Sequence, residues 1–282
     1  MFLNKIRHEI VGYKTPRPFS IKRYAKCTDY DFNVVNDWIS KMHNLTNSSF
    51  SIIGKNILEL GPGDDLGTGL ILLAMGANKY NALDINPLAE NTPMEFYDFL
   101  LLKIIERFPK ADEYALKHEL QFLSKGNDGR LNYIVDKKFS FSKLASKSID
   151  IVFSHAAFDC FDNIERTFQE ISRVIKPGGF ILAYFELQTH TRWIRNKDPL
   201  SIYRYSDSCY NFLRFKGSPN RLRPDYYINV LNKLNWKDIV FIPERIIDES
   251  QLATIVPYLH ERFKKYHDIN FLSGTLFARK CL

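Results

Sequence analysis

Cysteine and long hydrophobic runs are both scarce in this chain of 282 residues. The four cysteines, Cys27, Cys160, Cys209 and Cys281, lie far apart and match neither a CxxC pair nor the spacing of zinc ligands. We therefore expect free thiols, a reducing compartment and no bound metal. No stretch approaches the roughly 20 apolar residues that span a bilayer, and charged residues interrupt the opening segment. These absences predict a soluble cytoplasmic protein without a transmembrane segment.

Internal repeats, low-complexity segments and long basic tracts are also missing. The net charge is +7, from 39 basic and 32 acidic residues, yet the basic residues are scattered along the chain. Proteins that follow a phosphate backbone concentrate their positive charge, so nucleic acid is not the favoured partner. The remaining composition, 45% hydrophobic and 25% charged, is that of a folded globular protein. We expect the positive charge to favour small anionic ligands or surfaces.

What the sequence does contain is a regular alternation of strand and helix patterns from residue 56 onward. Strands are predicted at 56–60, 79–85, 131–136, 148–154, 180–187, 236–242 and 271–280. Helices are predicted at about 30–43, 66–75, 92–108, 111–124, 163–176, 224–235 and 248–265. This alternation predicts an α/β fold with a doubly wound, mostly parallel sheet, whose ligands lie at the carboxyl ends of the strands.

The same patterns divide the chain into four parts. We expect an N-terminal helical or irregular extension at 1–50 and a ligand-binding core at 51–187. An aromatic and basic insertion follows strand five at 188–223, and residues 224–282 complete the sheet. A long irregular insertion after a sheet strand is typical of a lid or binding loop.

The glycine-rich loop after the first strand is the most informative segment. It reads ILELGPGDDLG from residue 57, and Gly61 and Gly63 allow the backbone to turn tightly and approach a ligand. Three residues separate Gly63 from Gly67, so the GxGxxG spacing of a dinucleotide site is not met. Asp64 and Asp65 at the start of the next helix would repel a pyrophosphate. The loop therefore favours a ligand with a cationic amino group.

Several segments resemble, in order and spacing, the motifs of class I S-adenosylmethionine-dependent methyltransferases. They are ILELGPGDDLGTG, LDINP and SIDIVFSHAAFDCFDNIERTFQEISRVIKPGGFILAYFE, which lie within residues 56–186, and FLSGTLFARK, which resembles the family's antiparallel seventh strand. The resemblance implies a Rossmann-like sheet of seven strands, S-adenosyl-L-methionine as the cofactor and an enzyme that transfers its methyl group.

The resemblance also assigns cofactor-binding roles along the carboxyl edge of the sheet. These are Glu59, Gly61 and Gly63 at the methionine end, Asp84 at the ribose hydroxyls, Ile85 on the adenine face, Asp136 at the adenine amino group and Ser154 beneath the sulfonium. At Asp136 the chain departs from the family, which usually has a small residue before the acid where this chain has Val135.

Three side chains near the ends of strands four and five are candidates for the acceptor chemistry: His155, Asp159 and His190. The edge where these strands end is where the methyl group must lie. We expect His190 to act as the general base and His155 to contact substrate or cofactor. An NPPY-type signature is absent, which disfavours methylation of DNA adenine or of glutamine. No metal is expected to take part, since no ligand set with metal spacing is visible.

The insertion is rich in tryptophan, tyrosine and arginine, which stack on sugar rings and bind phosphate or carboxylate. Around NRLRP it is loosely similar to the insertion of bacterial methyltransferases associated with surface-polysaccharide assembly. We therefore predict methyl transfer to a small polar acceptor, a hydroxyl of a sugar, nucleotide sugar or related metabolite. The alternatives are methylation of RNA or another macromolecule, and a non-catalytic protein that binds the S-adenosyl ligand. The aromatic residues are equally compatible with a small core of the insertion itself.

Overall fold

The predicted sheet of seven strands is present in the computed structural model, which describes residues 5, 6, 10, 20–126 and 129–282. The strands are β1 (Asn56–Leu60), β2 (Lys79–Asp84), β3 (Leu131–Val135), β4 (Ile149–His155), β5 (Ile175–Glu186), β6 (Trp236–Ile246) and β7 (Phe271–Lys280). Their order across the sheet is β3-β2-β1-β4-β5-β7-β6. The order reverses between β1 and β4, which is the switch point where ligands of doubly wound sheets bind.

Helices connect these strands as the alternation predicted. Those of the described residues are α1 (Tyr24–Leu45), α2 (Gly67–Ala74), α3 (Met94–Arg107), α4 (Glu113–Ser124), α5 (Ile164–Val174), α6 (Arg192–Arg195), α7 (Asp207–Leu213), α8 (Pro224–Lys233), α9 (Glu249–Ile255) and α10 (Glu261–Lys264). The helix expected at 30–43 is longer at its amino end, and the insertion contains the short helices α6 and α7. No described helix combines the length and the apolar character that crossing a membrane requires.

Strand pairing shows how the polar strand ends come together. β1 pairs in parallel with both β2 and β4, and β2 pairs in parallel with β3. β6 and β7 pair antiparallel, as expected for the last strand. Parallel neighbours end at the same edge of a sheet. The residues that follow β1 to β4 therefore lie along one edge, and the predicted fold class is confirmed.

The described chain divides into two compact units. The first comprises residues 20–126, 129–155 and 173–182, and the second comprises 156–172 and 183–281. In the first unit the indole of Trp38 on α1 stacks on Phe153 of β4, with ring centroids 4.5 Å apart and an interplanar angle of 1°. Both side chains are almost fully buried. Burial of aromatic rings of this size stabilises the fold by about 1.5–3 kcal/mol each, which fixes α1 against the sheet.

The second unit has its own apolar core, built from residues 200–210 of the insertion and from residues 247–269. Tyr203 and Tyr210 are each only 1% exposed, and Tyr203 packs edge-on against Phe263 with ring centroids 4.9 Å apart. Leu200 and Ile202 complete this part of the core. These aromatic residues therefore serve the packing of the second unit, which is the alternative that the sequence left open for them.

Further predicted boundaries were wrong, and β6 ends at Ile246 instead of residue 242. β5 begins at Ile175 instead of residue 180, because Gly179 approaches the backbone oxygen of Asp150 so closely that a β-carbon would lie 2.7 Å from it. The glycine there permits strand pairing where a turn was expected. The helix predicted at 248–265 is broken into α9, a 3-10 turn and α10. Pro257 lies in that turn and has no N–H to continue an α-helix.

Candidate functional site

In the first unit, the backbone of the glycine-rich loop after β1 is open to a ligand. Gly61 and Gly63 have φ values of +71° and +84°, a region that L side chains rarely adopt. Gly61 N–H donates to the carbonyl of Leu83 over 2.9 Å, which fixes the loop to the end of β2. Apart from Gly63 and its two chain neighbours, no atom of the described residues lies within 4 Å of the place where a β-carbon of Gly63 would stand. A ligand can therefore approach the backbone here closely.

Asp84 lies at the end of β2, beside this loop. Its Oδ1 accepts a hydrogen bond from Asn86 N–H over 2.9 Å. Burial raises the pKa of the Asp84 carboxyl, while the N–H groups of Asn86, Ile85 and Gly63 oppose that rise. The carboxylate thus connects the glycine loop to the strand end, and the half-buried Ile85 follows directly. The ribose role predicted for Asp84 and the adenine role predicted for Ile85 stay predictions.

Asp136 and Ser154 occupy the neighbouring strand ends. Asp136 N–H donates to the carbonyl of Asp84 over 2.9 Å, and its carboxylate accepts from Lys138 N–H over 2.7 Å in a turn. Ser154 is fully buried and donates its hydroxyl to the carbonyl of Leu60 over 2.9 Å. Asp136 therefore lies beside Asp84, whereas the hydroxyl of Ser154 joins the end of β4 to the end of β1.

Glu59 lies beneath the glycine loop and is 2% exposed. Its Oε2 accepts hydrogen bonds from the Thr68 hydroxyl over 2.7 Å and from the Tyr80 hydroxyl over 2.6 Å. Burial raises the pKa of Glu59 to about 7, although both hydrogen bonds oppose the rise. The side chain predicted to line the methionine end is thus engaged with α2 and β2.

A further acid, Asp31 of α1, joins the loop and was missed by the sequence analysis. It is 3% exposed, and a β-carbon on Gly67 would collide with its carboxyl group. Burial and the negative charge of Asp65 raise the pKa of Asp31 well above its ordinary value. Asp31 could have been suspected only as an acid among the apolar residues of a helix. Oδ2 of Asp31 has no hydrogen-bond partner among the described residues.

The residues of this loop fit a ligand with a cationic amino group. Carboxyls outnumber cations around this loop, one buried oxygen lacks a donor among the described residues, and the loop backbone is open beside Gly63. An ammonium group supplies both positive charge and N–H donors. S-adenosylmethionine carries such an ammonium group beside its sulfonium.

His155 and His190 fall in different units. His155 ends β4 in the first unit, where its ring meets Tyr30 of α1 edge-on with centroids 5.8 Å apart. His190 lies in the second unit, where its Nε2 is 2.8 Å from Oδ2 of Asp159. Of the three acceptor candidates, Asp159 and His190 are therefore directly paired.

In the Asp159–His190 pair, a buried carboxylate orients and polarises the imidazole of His190. Asp159 is 2% exposed, and its Oδ1 accepts a hydrogen bond from Glu186 N–H over 3.4 Å. Burial acts to lower the pKa of His190, but the hydrogen bond and charge of Asp159, with the charge of Glu186, raise it above its ordinary value. The imidazole is about one-third exposed, at 34%, so a ligand can reach it.

Cys160 adjoins this pair. Its Sγ lies 3.6 Å from Oδ2 of Asp159 and 4.0 Å from Nδ1 of His190. Burial and the charge of Asp159 raise the pKa of the Cys160 thiol well above its ordinary value. Asp159, Cys160 and His190 offer potential metal ligands within 4.8 Å of one another. Their spacing in the sequence did not show this group, because the histidine is separated from the other two by about thirty positions.

Several arginines of the insertion are engaged within the second unit. Arg223 donates to Asp268 and to the carbonyl of Phe271, and Arg221 pairs with Asp207 and stacks on Tyr210 at 4.0 Å. Arg204 and Arg214 form ion pairs with Asp198 and Asp162, respectively. The expectation that the NRLRP arginines serve anionic ligands is therefore not supported by their contacts. Arg192, on α6, is exposed beside Trp193, which is 71% exposed.

Comparisons with known proteins agree with this geometry. A family model described as a methyltransferase domain matches residues 110–183. Malonyl-acyl-carrier protein O-methyltransferase 2 of Ilyobacter polytropus is 26% identical over 194 residues, which cover 61% of this chain and 71% of that protein. Malonyl-acyl-carrier protein O-methyltransferase 1 of Coxiella burnetii is 45% identical over 38 residues, 14% of each chain.

Solved structures are similar in fold at low sequence identity. Phosphoethanolamine N-methyltransferase 2 of Haemonchus contortus, in complex with S-adenosyl-L-methionine, is 14% identical with a TM-score of 0.49. The match covers 98% of this chain and 56% of that one, so this chain spans about half of its length. The CurJ carbon methyltransferase is 15% identical with a TM-score of 0.44, over 84% of this chain and 51% of that one.

The strand order is that of the class I methyltransferase fold, and residues 110–183 match a methyltransferase domain. An enzyme that uses S-adenosyl-L-methionine is the class of protein that these two findings support. The fold, cofactor and enzyme class predicted from the sequence are confirmed, whereas the acceptor is a separate question.

Proposed function

We propose that the protein transfers the methyl group to an oxygen of a small polar acceptor, with a hydroxyl of a sugar, nucleotide sugar or related metabolite as the first candidate. The Asp159–His190 pair carries this proposal, with Nε2 of the imidazole 2.8 Å from the carboxylate. A hydroxyl must lose a proton when it is methylated, and an imidazole whose other nitrogen is held by a carboxylate is suited to receive it.

The pair defines which nitrogen would act. In the neutral ring, Nε2–H donates to Asp159, so the lone pair is on Nδ1. We propose that Nδ1 of His190 takes the proton of the acceptor hydroxyl. The buried carboxylate of Asp159 then stabilises the imidazolium and fixes its orientation. Asp159 is itself held in place, because its backbone carbonyl accepts from Asn220 N–H over 2.6 Å.

The cofactor supplies an electrophilic methyl group on a sulfonium. In the first unit, we propose that Asp84 binds the ribose hydroxyls, Ile85 packs on the adenine and Asp136 lies near the adenine amino group. The short backbone bonds from β2 to the glycine loop and to Asp136 support this assignment, since they hold these positions side by side. We further propose that Gly61 and Gly63 offer their backbone to the methionine end.

The sugar-type acceptor rests on the residues that the insertion leaves exposed. Trp193 of α6 is 71% exposed. Its neighbour Arg192 lies two positions after His190 in the sequence. An exposed indole stacks on sugar rings, and a guanidinium binds phosphate or carboxylate. These features support a sugar phosphate or nucleotide sugar, and they are compatible with the polysaccharide-associated function that the insertion suggested.

A second candidate acceptor is a carboxylate, which would be converted to a methyl ester. The relatives from Ilyobacter and Coxiella are named for O-methylation of malonyl-acyl-carrier protein, and the raised pKa of His190 extends the pH range over which the ring is an imidazolium. A carboxylate needs no base, and an imidazolium would bind it instead. The two candidates assign opposite charge states to the same side chain.

The pH dependence of kcat/KM separates these two roles. If His190 is a base, kcat/KM rises with pH through the histidine pKa, which lies above 6.5. Asp159→Asn should move that inflection to lower pH, because the charge that raises the pKa is removed. If His190 holds a carboxylate as an imidazolium, kcat/KM falls with pH through the same range. A profile without a histidine inflection would contradict both roles.

His190→Ala should lower kcat by about 10²–10⁴-fold with hydroxyl acceptors, the range for loss of a general base. His267→Ala is the matched control, since His267 faces Asp225 at 3.8 Å but is 77% exposed. Acceptor pools of sugars, nucleotide sugars, carboxylates and RNA are assayed with labelled cofactor. Labelled RNA alone would support the macromolecule alternative, and no product with tight cofactor binding would support the non-catalytic one.

A further inference from the structure

A pair of carboxyl groups flanks the start of α2, and one member comes from outside the glycine loop. A β-carbon on Gly67 would collide with the Asp31 carboxyl and would lie 2.9 Å from Oδ1 of Asp65. Oδ1 of Asp65 also accepts from Gly67 N–H over 2.8 Å. Only glycine at position 67 lets the two acids approach α2 together. Asp31 is covered by protein, whereas Asp65 remains partly exposed.

The two acids differ in the charge that they hold. A hydrogen bond between the carboxyls raises the pKa of Asp31 and lowers that of Asp65. Burial, opposed by Gly67 N–H, leaves the pKa of Asp65 at about 6. Burial and Asp65 raise the pKa of Asp31 well above its ordinary value. Near neutral pH the two acids therefore share one proton and one negative charge, and the deeper burial of Asp31 favours the proton there.

The surroundings make this charge costly. The charged groups that act directly on the two acids are Cys27 of α1, Glu59 of β1 and Asp64 of the loop, and the charge of Asp65 acts on Tyr80 and Tyr97. The nearby cations Arg23 and Lys26 act on Asp64 and Cys27, and Asp84 acts on Asp64 and Glu59. Carboxyls outnumber the two cations in this group. Oδ2 of Asp31 receives no donor from the described residues, which agrees with a carboxyl that carries a proton of its own. The arrangement is therefore incomplete without a cationic group that approaches from the exposed side of Asp65.

We propose that Asp65 receives the α-ammonium group of the cofactor and that Asp31, as a positioning residue, holds a proton and donates it to Asp65. In this arrangement α1 contributes to the cofactor site through a neutral carboxylic acid. The donated hydrogen bond keeps Asp65 ionised and aimed at the ligand. The inference concerns cofactor binding only, so it does not depend on which acceptor is methylated.

Calorimetric binding of S-adenosylhomocysteine between about pH 5 and pH 7.5 tests the proposal without an acceptor. For the unaltered protein, affinity should fall about tenfold per pH unit below pH 6, because Asp65 must be ionised to bind the ammonium. The comparison ligand is 5′-methylthioadenosine, which lacks the amino-acid group. Its affinity should stay constant over this range, whereas an equal fall for both ligands would overturn the proposal.

Variants separate the roles of the two acids. Asp65→Asn should weaken S-adenosylhomocysteine binding tenfold or more at pH 7 and abolish its pH dependence. Asp31→Ala should shift the midpoint to higher pH, because Asp65 loses the hydrogen bond that lowers its pKa. Asp31→Asn should restore the midpoint, since its amide donates in place of the acid. Asp29→Asn, an exposed acid of the same helix, is the control.

Each result decides the inference. Unchanged affinity for 5′-methylthioadenosine shows that a variant still folds and binds the nucleoside part. If Asp31→Asn behaves like Asp31→Ala, or if neither moves the midpoint, Asp31 only packs against α2 and the positioning role is wrong. If Asp65→Asn leaves S-adenosylhomocysteine binding intact, the ammonium lies elsewhere.

Discussion

Arg223 offers a sharp test of whether the insertion's arginines bind ligand or hold the second unit together. The guanidinium has 0% exposure and lies 3.4 Å from Asp268, which is 2% exposed. It also donates to the carbonyls of Leu187 over 3.3 Å and Phe271 over 3.0 Å. Replacement by methionine keeps an unbranched apolar stem of similar length but removes every donor. The prediction is that Arg223→Met chiefly lowers stability.

The loss of unfolding free energy in Arg223→Met can be worked out from the groups that lose a partner. Removing one member of a buried ion pair costs about 3–5 kcal/mol, because the other charge stays buried. The carbonyls that lose a donor belong to the same network, so their cost overlaps with this value. Burial raises the pKa of Asp268 while Arg223 lowers it, so the pKa should rise further in the variant. Acid pH then neutralises Asp268, and the deficit should shrink as the pH falls toward 5.

Urea denaturation at pH 8 and pH 5 measures this deficit, with Arg195→Met as the control on the short helix α6. The control should change the free energy of unfolding by about 0.5 kcal/mol or less. The double variant Arg223→Met/Asp268→Asn should be more stable than Arg223→Met alone, because no buried charge remains. A deficit below about 1 kcal/mol together with weaker acceptor binding would refute the structural role and return Arg223 to the ligand site.

Three further predictions concern the two sites. Asp84→Ala should weaken S-adenosylhomocysteine binding by tenfold or more, since charged hydrogen bonds of about 1.5–3 kcal/mol each are lost; unchanged calorimetric affinity would reject the ribose assignment. Iodoacetamide should label Cys209 about tenfold faster than Cys160 at pH 7.5, because Cys209 is exposed and burial and Asp159 raise the pKa of Cys160. Mass spectrometry measures the two labelling rates, and equal rates would contradict the burial of the Cys160 thiol. Chelator treatment should leave turnover unchanged if His190 is a base, whereas a loss reversed by zinc would place a metal on Asp159, Cys160 and His190.

The parts of the fold that local sequence predicts are those where one short pattern decides the structure. β1 and β7 match their predicted bounds, because apolar residues that favour strands are concentrated in each. The glycine loop was recognised because positive φ values need glycine at Gly61 and Gly63. The position of Asp84 at the sheet edge could be predicted for a similar reason, since Asp84 ends a buried strand.

The errors have a common origin in partners distant along the chain. The sequence from Pro177 to Gly179 is typical of a turn, yet Gly179 lies against the backbone oxygen of Asp150 in β4. Arg223 reads as an exposed cation, yet Asp268 neutralises it from 45 positions away. His190 was singled out from its place after β5. Its partnership with Asp159 followed only from the fold, because no local pattern joins residues so far apart.

Buried charges have different partners in the two units. In the first unit, this makes stability depend on pH. The second unit pairs its buried arginines with carboxylates, whereas Glu59, Asp31 and Asp65 in the first have pKa values raised mainly by burial. A carboxyl whose pKa is higher in the folded state binds more protons there than in the unfolded chain. Its contribution to stability is therefore largest at acid pH and is lost as the pH rises toward the folded pKa.

For Glu59, a rise from 4.5 to about 7 corresponds to roughly 3 kcal/mol lost between pH 4.5 and 7. The free protein should therefore gain little stability, or lose some, as the pH rises from 5 to 7.5. Stabilisation by S-adenosylhomocysteine should grow over the same interval, because the ligand's ammonium offsets the exposed charge of Asp65. Thermal unfolding with and without the ligand at each pH measures this difference. A ligand-induced shift that is constant with pH would show that the acids of the glycine loop act independently of the cofactor's charge.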